Sequence, residues 1–391
     1  MNKKVLYISD LDQVGSGYMN IATRLCEGLV DKGYEVKVIG IMYGGEEHNY
    51  NLSIIPAKNL GDVLAQVNNL NVMWQPDVIV FGMDVPYQGK FMNFLQIQKI
   101  NIPLIGIFPL ESLPLPVCWA QVLSTLDKSL VISQFATDEC RKYGINADHI
   151  QIGMDRELWK KPSPEERATI RANMGYAEDD FIILTVAANQ ERKNLSASME
   201  IAKGVAERVK DTKNIKYVMV TMEDFEVGWK LRDYWAELSV DNIYGELQIY
   251  ERGMPFKELW MLYASADAFL LTSRAEGLGL PVLESMSVGL PVFGTDCAAI
   301  REHLGGEDGV RGYLLGVEFV HRDVWMNATR HYVDVHSSIE MMVDYIVLPN
   351  YAYPKVAERA EEYIASRTWD KAVDTLDNAV KEVTSEKLQQ D

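Results

Sequence analysis

Short, uninterrupted apolar runs alternate with helical stretches along this chain, and this alternation limits the fold more than any other feature. Lys4–Ser9, Glu35–Gly40, Pro76–Phe81, Ile102–Ile107 and Leu126–Ser133 read as strands in the first part. Strands that are apolar throughout, rather than at every second residue, are buried on both faces. Separated by helices, they imply a parallel sheet covered on both sides. Gly15-Ser-Gly17 follows the first strand. Ile21, Leu25 and Leu29 then recur at helical spacing between Asn20 and Asp31, and Gly33 is placed to end that helix. A second series opens with Phe181–Val186, followed by a helix from about Asn194 to Lys210. It continues through Lys216–Thr221, Glu246–Tyr250, Ala268–Thr272 and Pro291–Gly294. Between the two series, residues 153–164 are polar and include Pro162 and Pro164, the signature of an inter-domain linker. Residues 355–387 are helical in pattern. A length of 391 residues suits two domains or three at roughly 150 residues each. Two successive doubly wound halves predict a ligand crevice at the carboxyl ends of the strands, between the domains.

Composition narrows the function classes. With 48% hydrophobic and 24% charged residues the chain is not a disordered one. No apolar run approaches the roughly 20 residues of a membrane-spanning helix. The N-terminus has two lysines but no apolar core segment before Asp10, so it reads as a first strand and not as a signal peptide. The net charge of −18 disfavours a polyanion such as nucleic acid as partner and argues weakly against anionic lipid. Cys26, Cys118, Cys140 and Cys297 form no CxxC pair, as expected of free thiols in a reducing cytoplasm. The six histidines (His48, His149, His303, His321, His331 and His336) form no HxxxH pair, so no metal site is expected.

The stretch from Ser273 to Val292 carries the most chemistry. A strand ends near Thr272. Gly277 and Gly279 then remove side-chain bulk from the loop Glu276–Gly279, so that backbone N–H groups can approach a ligand. Pro281 suits a first helical position, and Gly289 ends the helix. A glycine loop running into a helix start is an anion site, and a diphosphate suits it. Glu276 and Glu284, eight residues apart, suit hydroxyls on either side of that diphosphate. Earlier, Arg192 and Lys193 follow the strand Phe181–Val186. Two cations held there would stabilise a departing anion.

The segment Glu276–Val292 resembles the glutamate-x7-glutamate signature of the group 1 (family 4) retaining glycosyltransferases at nearly every position. The resemblance implies a GT-B fold, in which two Rossmann-like doubly wound α/β domains face a central cleft. On this basis residues 1–155 are expected to form the acceptor-side domain and residues 156–365 the nucleotide-sugar domain. Residues 366–391, where Arg367-Thr-Trp369-Asp resembles the start of the family's closing helix, are expected to cross back to the first domain. The resemblance further implies that Glu276 contacts donor-sugar hydroxyls and that Glu284 holds the ribose. The amides of Gly277, Leu278 and Gly279 would serve the sugar and diphosphate. Lys193 matches the family's lysine. The family's earlier arginine is absent: Asn189 stands roughly at its place, and Arg192 is the candidate substitute. Gly253–Asp267 resembles the base-reading segment, from which Met254 carries over. Gly15 and Gly17 resemble the N-terminal glycine loop facing donor phosphate and acceptor. A histidine that many relatives carry after the strand Ile102–Ile107 is missing, with Phe108 in its place and Asp84 and Glu111 as nearby carboxylates.

The expected activity is transfer of a sugar from a nucleoside diphosphate sugar, which is a substrate and not a cofactor, to an unnamed acceptor. Retention, front-face substitution and independence of metal go with it. Two other readings fit the same architecture: a nucleotide-sugar epimerase and a non-catalytic sugar-nucleotide sensor. A dehydrogenase does not fit, because Asn20 stands where the third glycine of GxGxxG is needed.

Overall fold

The computed structural model describes residues 2–11, 17–306, 309–324, 326–348 and 355–387. The chain divides into two compact units, one of residues 1–153 with 367–391 and one of residues 154–366.

The first unit is built on seven parallel strands: β1 (Lys4–Asp10), β2 (Glu35–Ile41), β3 (Ser53–Ala57), β4 (Val78–Gly82), β5 (Leu104–Phe108), β6 (Lys128–Val131) and β7 (Ala147–His149). Their order is β3-β2-β1-β4-β5-β6-β7, with Val5 of β1 opposite both Val36 and Val78. Every residue of β4 is buried, as a central parallel strand between two helical layers requires. The first helix spans Gly17–Asp31, and its end matches the expected glycine stop. Gly33, at φ +89°, donates its N–H to Val30, and Tyr34 donates to Leu29.

The second unit repeats the plan with β8 (Asp180–Val186), β9 (Asn214–Thr221), β10 (Glu246–Glu251), β11 (Ala268–Leu271), β12 (Val292–Thr295) and β13 (Tyr313–Leu315), in the order β10-β9-β8-β11-β12-β13. An antiparallel hairpin, β14 (Val317–Arg322) and β15 (Thr329–Val333), follows, with Phe319 stacked on Tyr332 at 4.4 Å. In each sheet the first strand lies inside, and chain order runs outward from it in both directions. That is the doubly wound arrangement the alternation predicts.

The strands β3, β7, β13, β14 and β15 were not apparent from the pattern. β3 contains Pro56, which a sheet tolerates only at an edge. β7 and β13 have three residues each, too few to show a period. β14 is largely exposed and lacks an apolar run.

One sequence expectation needs correction. The supposed linker is not a solvated tether. Trp159 is buried and meets Phe256 and Tyr263 edge-on at 4.6 and 5.1 Å, while its carbonyl accepts from the Ser287 hydroxyl at 2.9 Å. Residues 154–163 therefore pack as part of the second unit up to Ser163, which caps the helix Pro164–Asn173 with a reciprocal Glu166 capping box. The helical pattern of residues 355–387 is two helices, Val356–Ala365 and Trp369–Lys387. At the break Arg367 is buried and donates from Nε to Ile152 O at 3.1 Å.

The helix Trp369–Lys387 belongs to the first unit and packs on Gly17–Asp31. A Cβ at Gly28 would lie 2.3 Å from Cγ2 of Val373, so only glycine permits this approach. The Tyr34 hydroxyl donates to Asp377 at 2.7 Å, and Lys32 pairs with Asp374 at 2.7 Å.

Candidate functional site

In an open doubly wound sheet, the loops leaving the two strands beside the reversal of chain order diverge and leave a crevice. In the second unit those strands are β8 and β11. The loop after β8 carries Arg192 and Lys193, and the loop after β11 carries Ser273–Gly279. Sheet topology thus brings together two segments about eighty residues apart in sequence.

The loops are tied to each other through Asn194, whose backbone is left-handed at φ +52°. Asparagine accepts that conformation more readily than most residues. Its side-chain oxygen accepts from Arg274 Nη2 at 2.9 Å, and its carbonyl accepts from the Thr272 hydroxyl at 2.8 Å. The Arg274 N–H donates to Arg192 O at 2.8 Å. The Arg274 guanidinium pairs with Glu191 and lies 4.2 Å from the Tyr332 ring centre, so β15 braces the loop from behind.

Glu276 lies at the centre and is only 4% exposed. Its Oε1 accepts from Lys193 Nζ at 2.5 Å and from the Ser273 hydroxyl at 2.7 Å, and Oε2 lies 3.3 Å from Arg192 Nη1. Burial pushes this carboxyl up, but the Lys193 ammonium and the Arg192 guanidinium outweigh it and hold the pKa at about 2. Glu276 is therefore a permanent carboxylate in a cluster of net charge +1. Sequence reasoning had assigned the two cations to a leaving group alone; the structure places both on Glu276. Asn189, at the place of the family's absent arginine, makes a different contact. It is buried, and its amide clamps the next loop, donating to Trp229 O at 2.9 Å and accepting from Trp229 N at 2.8 Å. Arg192 is the guanidinium that reaches the cluster.

Beyond Glu276 the chain enters the helix Leu280–Val288. Gly279 stands at its N-cap with φ +75°, and no side chain caps the helix. The first N–H groups of an uncapped helix need an outside acceptor. The Leu278 side chain is buried, so only its backbone is presented. Glu284 is half-buried in this helix, and its Oε2 accepts from the Tyr263 hydroxyl at 2.8 Å. Burial raises its pKa to about 7, opposed by the Tyr263 hydrogen bond. The carboxyl pKa values of the two motif glutamates are thus shifted in opposite directions.

Of the remaining sequence candidates, Met254 lies in the same unit, apart from this cluster. Met254 is half-buried in the turn after β10, beside Gly253 at φ +84°. The order β10-β9-β8-β11 puts it three strand spacings from Glu276, roughly 14 Å across the sheet. Gly17 opens the first helix of the other unit, and Gly15 lies outside the described residues. In that unit Asp84 accepts from the Tyr18 hydroxyl at 2.5 Å at the corresponding reversal between β1 and β4, and Phe108 is wholly buried. Sequence reasoning missed the support residues Arg274 and His303 and the bond from Tyr263 to Glu284. No local spacing reveals these contacts, because each partner comes from a separate element.

Residues 166–319, which include Arg192, Lys193, Glu276 and Glu284, match the family of glycosyl transferases group 1. The match lies wholly within the second unit. The chain is 26% identical over 166 residues to the putative glycosyltransferase EpsD of Bacillus subtilis strain 168, covering 42% of this chain and 40% of that protein. It is 35% identical over 78 residues to the O-antigen chain mannosyltransferase B of Escherichia coli, 20% of each. Both matches span less than half of those relatives. Solved structures extend the likeness over the whole fold. A glycosyltransferase from Rickettsia africae superposes with TM-score 0.72 at 14% identity, covering 98% of each chain. HepE of Anabaena, solved with UDP and glucose, gives 0.73 at 16% identity over 97% of this chain and 100% of that one. The fold is GT-B. No described helix is long and apolar enough to cross a membrane.

Proposed function

We propose that this chain transfers a sugar from a nucleoside diphosphate sugar to an acceptor hydroxyl, with retention at the anomeric carbon and without a metal ion. The reading rests on the buried Glu276–Lys193–Arg192 cluster beside an uncapped, glycine-led helix start. When the bond from the anomeric carbon to the phosphate oxygen breaks, negative charge collects on the diphosphate. Lys193, Arg192 and the loop amides supply positive charge where it collects. Glu276 holds both cations in place and offers its carboxylate to sugar hydroxyls. The acceptor oxygen bonds to the anomeric carbon on the face the diphosphate leaves, and its proton passes to a phosphate oxygen. No side-chain nucleophile is needed. Glu284 suits the ribose hydroxyls, the amides of Gly277, Leu278 and Gly279 suit the diphosphate, and Met254 would border the base. Gly17, at the opening of the first helix, would lie on the phosphate and acceptor side. The UDP complex of HepE makes uridine diphosphate sugars the first donors to test.

The test is release of nucleoside diphosphate from UDP-, GDP- and ADP-sugars with EDTA present. Release from one donor supports the reading. Release only after divalent metal is added overturns metal independence. Interconversion of the donor sugar without release would indicate an epimerase, and donor binding without turnover a sensor.

The Glu284 titration gives a second expectation. Only its carboxylate accepts two ribose hydrogen bonds, so donor affinity should rise with pH through about 7. Tyr263→Phe removes a hydrogen bond that holds this pKa down, and should move the inflection upward. Glu284→Gln should flatten it. Donor KM measured from pH 5.5 to 8.5 checks all three.

A further inference from the structure

The helix Ala298–Leu304 holds the glycine loop by two carbonyls. The Ala299 N–H donates to Glu276 O at 3.2 Å. One turn further along, His303 Nε2 lies 2.6 Å from Leu278 O. Both contacts come from this one helix, the first from its backbone and the second from a side chain. His303 is wholly buried, and its Nδ1 lies 2.8 Å from the Tyr363 hydroxyl. The Arg311 guanidinium stacks on the Tyr363 ring, 4.3 Å from its centre. A carbonyl can only accept, so Nε2 carries the proton. A neutral ring then accepts at Nδ1 from the Tyr363 hydroxyl.

In a trans peptide the C=O and the following N–H point in opposite directions. Holding Glu276 O and Leu278 O against the helix turns the N–H groups of Gly277 and Gly279 to the other side of the loop. Among the described residues, neither N–H donates to another backbone group. Two N–H groups aimed from one face of a turn form an anion cradle.

We infer that His303 is a positioning residue for the diphosphate, locking the Leu278–Gly279 peptide so that the Gly279 N–H points at a phosphate oxygen, with Tyr363 fixing the ring that does so. The inference rests on the donor reading above. Sequence inspection dismissed this histidine because it belongs to no metal spacing. Its role appears only when the loop and two helices are packed.

The test compares wild type, His303→Leu, His303→Gln and Tyr363→Phe in calorimetric titrations with UDP, GDP and ADP and with the corresponding nucleosides. For the diphosphate that wild type binds, His303→Leu should lose about ten-fold in affinity, the worth of one well-placed hydrogen bond. Affinity for the nucleoside should not change. Glutamine places an amide donor near the Nε2 position, so His303→Gln should recover most of the loss. Tyr363→Phe, which keeps the histidine, should show a smaller loss in the same direction, and it carries the test if His303→Leu does not fold. Equal loss for diphosphate and nucleoside, no loss in His303→Leu or in Tyr363→Phe, or failure of glutamine to recover affinity would each overturn the inference. Wild type binding none of the three diphosphates would instead overturn the donor reading beneath it.

Discussion

Glu276→Gln should lower turnover by about a hundred-fold or more while keeping nucleoside diphosphate affinity within a few-fold of wild type. The substitution keeps the shape and removes one charge from a cluster of a carboxylate and two cations. Removing a single preorganised electrostatic group from an active site typically costs a hundred- to a thousand-fold in rate. The diphosphate itself gains from the change, because the cluster moves from +1 to +2. Binding and turnover should therefore separate, and steady-state kinetics with direct titration of the diphosphate reads both. Equal collapse of binding and turnover would mean that Glu276 only holds the loop together. Unchanged turnover would place the chemistry elsewhere.

The same variant has a signature in acid. The carboxyl titrates at about 2 in the folded chain, against an ordinary value of 4.5. Its contribution to stability is fully present above about pH 4.5 and is lost as pH falls toward 2. That difference corresponds to stabilisation on the order of 3 kcal/mol. The gap in melting temperature between wild type and Glu276→Gln should therefore close as pH is lowered through that window.

Trp159→Ala should be the most damaging single change to the second unit. The indole is buried against Phe256 and Tyr263. Truncating a buried tryptophan to alanine costs about 3–5 kcal/mol, because the surrounding side chains collapse only partly into the cavity. For a unit of this size a loss of that order lowers the melting temperature by roughly 10 °C. The effect should also reach the site. Tyr263 is held edge-on by this indole and donates to Glu284, so loosening the ring should weaken the ribose contact and raise donor KM. Calorimetry and donor kinetics on one preparation check both. A variant that melts like wild type would show that residues 154–163 tether the second unit without being part of its core.

The alternation of strands and helices, the glycine stop of the first helix and the Glu276–Val292 motif were all legible in the sequence. They depend on local physics: a parallel strand needs a continuous apolar run, a left-handed turn favours glycine, and a helix start that takes an anion needs room for its amides. The candidate site was legible for the same reason, as far as the identities of Glu276, Glu284, Lys193 and Arg192. What Asn189 binds was not legible, because residue spacing shows where a side chain stands and not what it contacts. Trp159 was misread because a polar, proline-rich segment looks solvated unless its one aromatic residue is seen to be inserted.

By itself the sequence determined that this chain folds as two doubly wound α/β halves and that Gly277 and Gly279 leave the loop Glu276–Gly279 without side-chain bulk at two positions. Only the tertiary structure decided that Lys193 and Arg192 pair with Glu276, that Tyr263 holds Glu284, that His303 meets the Leu278 carbonyl, and that residues 367–391 belong to the first unit. Periodicity and turn preference act over a few residues and leave a trace in the local pattern. These contacts join residues far apart in the chain. Their energies come from burial and charge pairing, which exist only once strand order has brought the partners together.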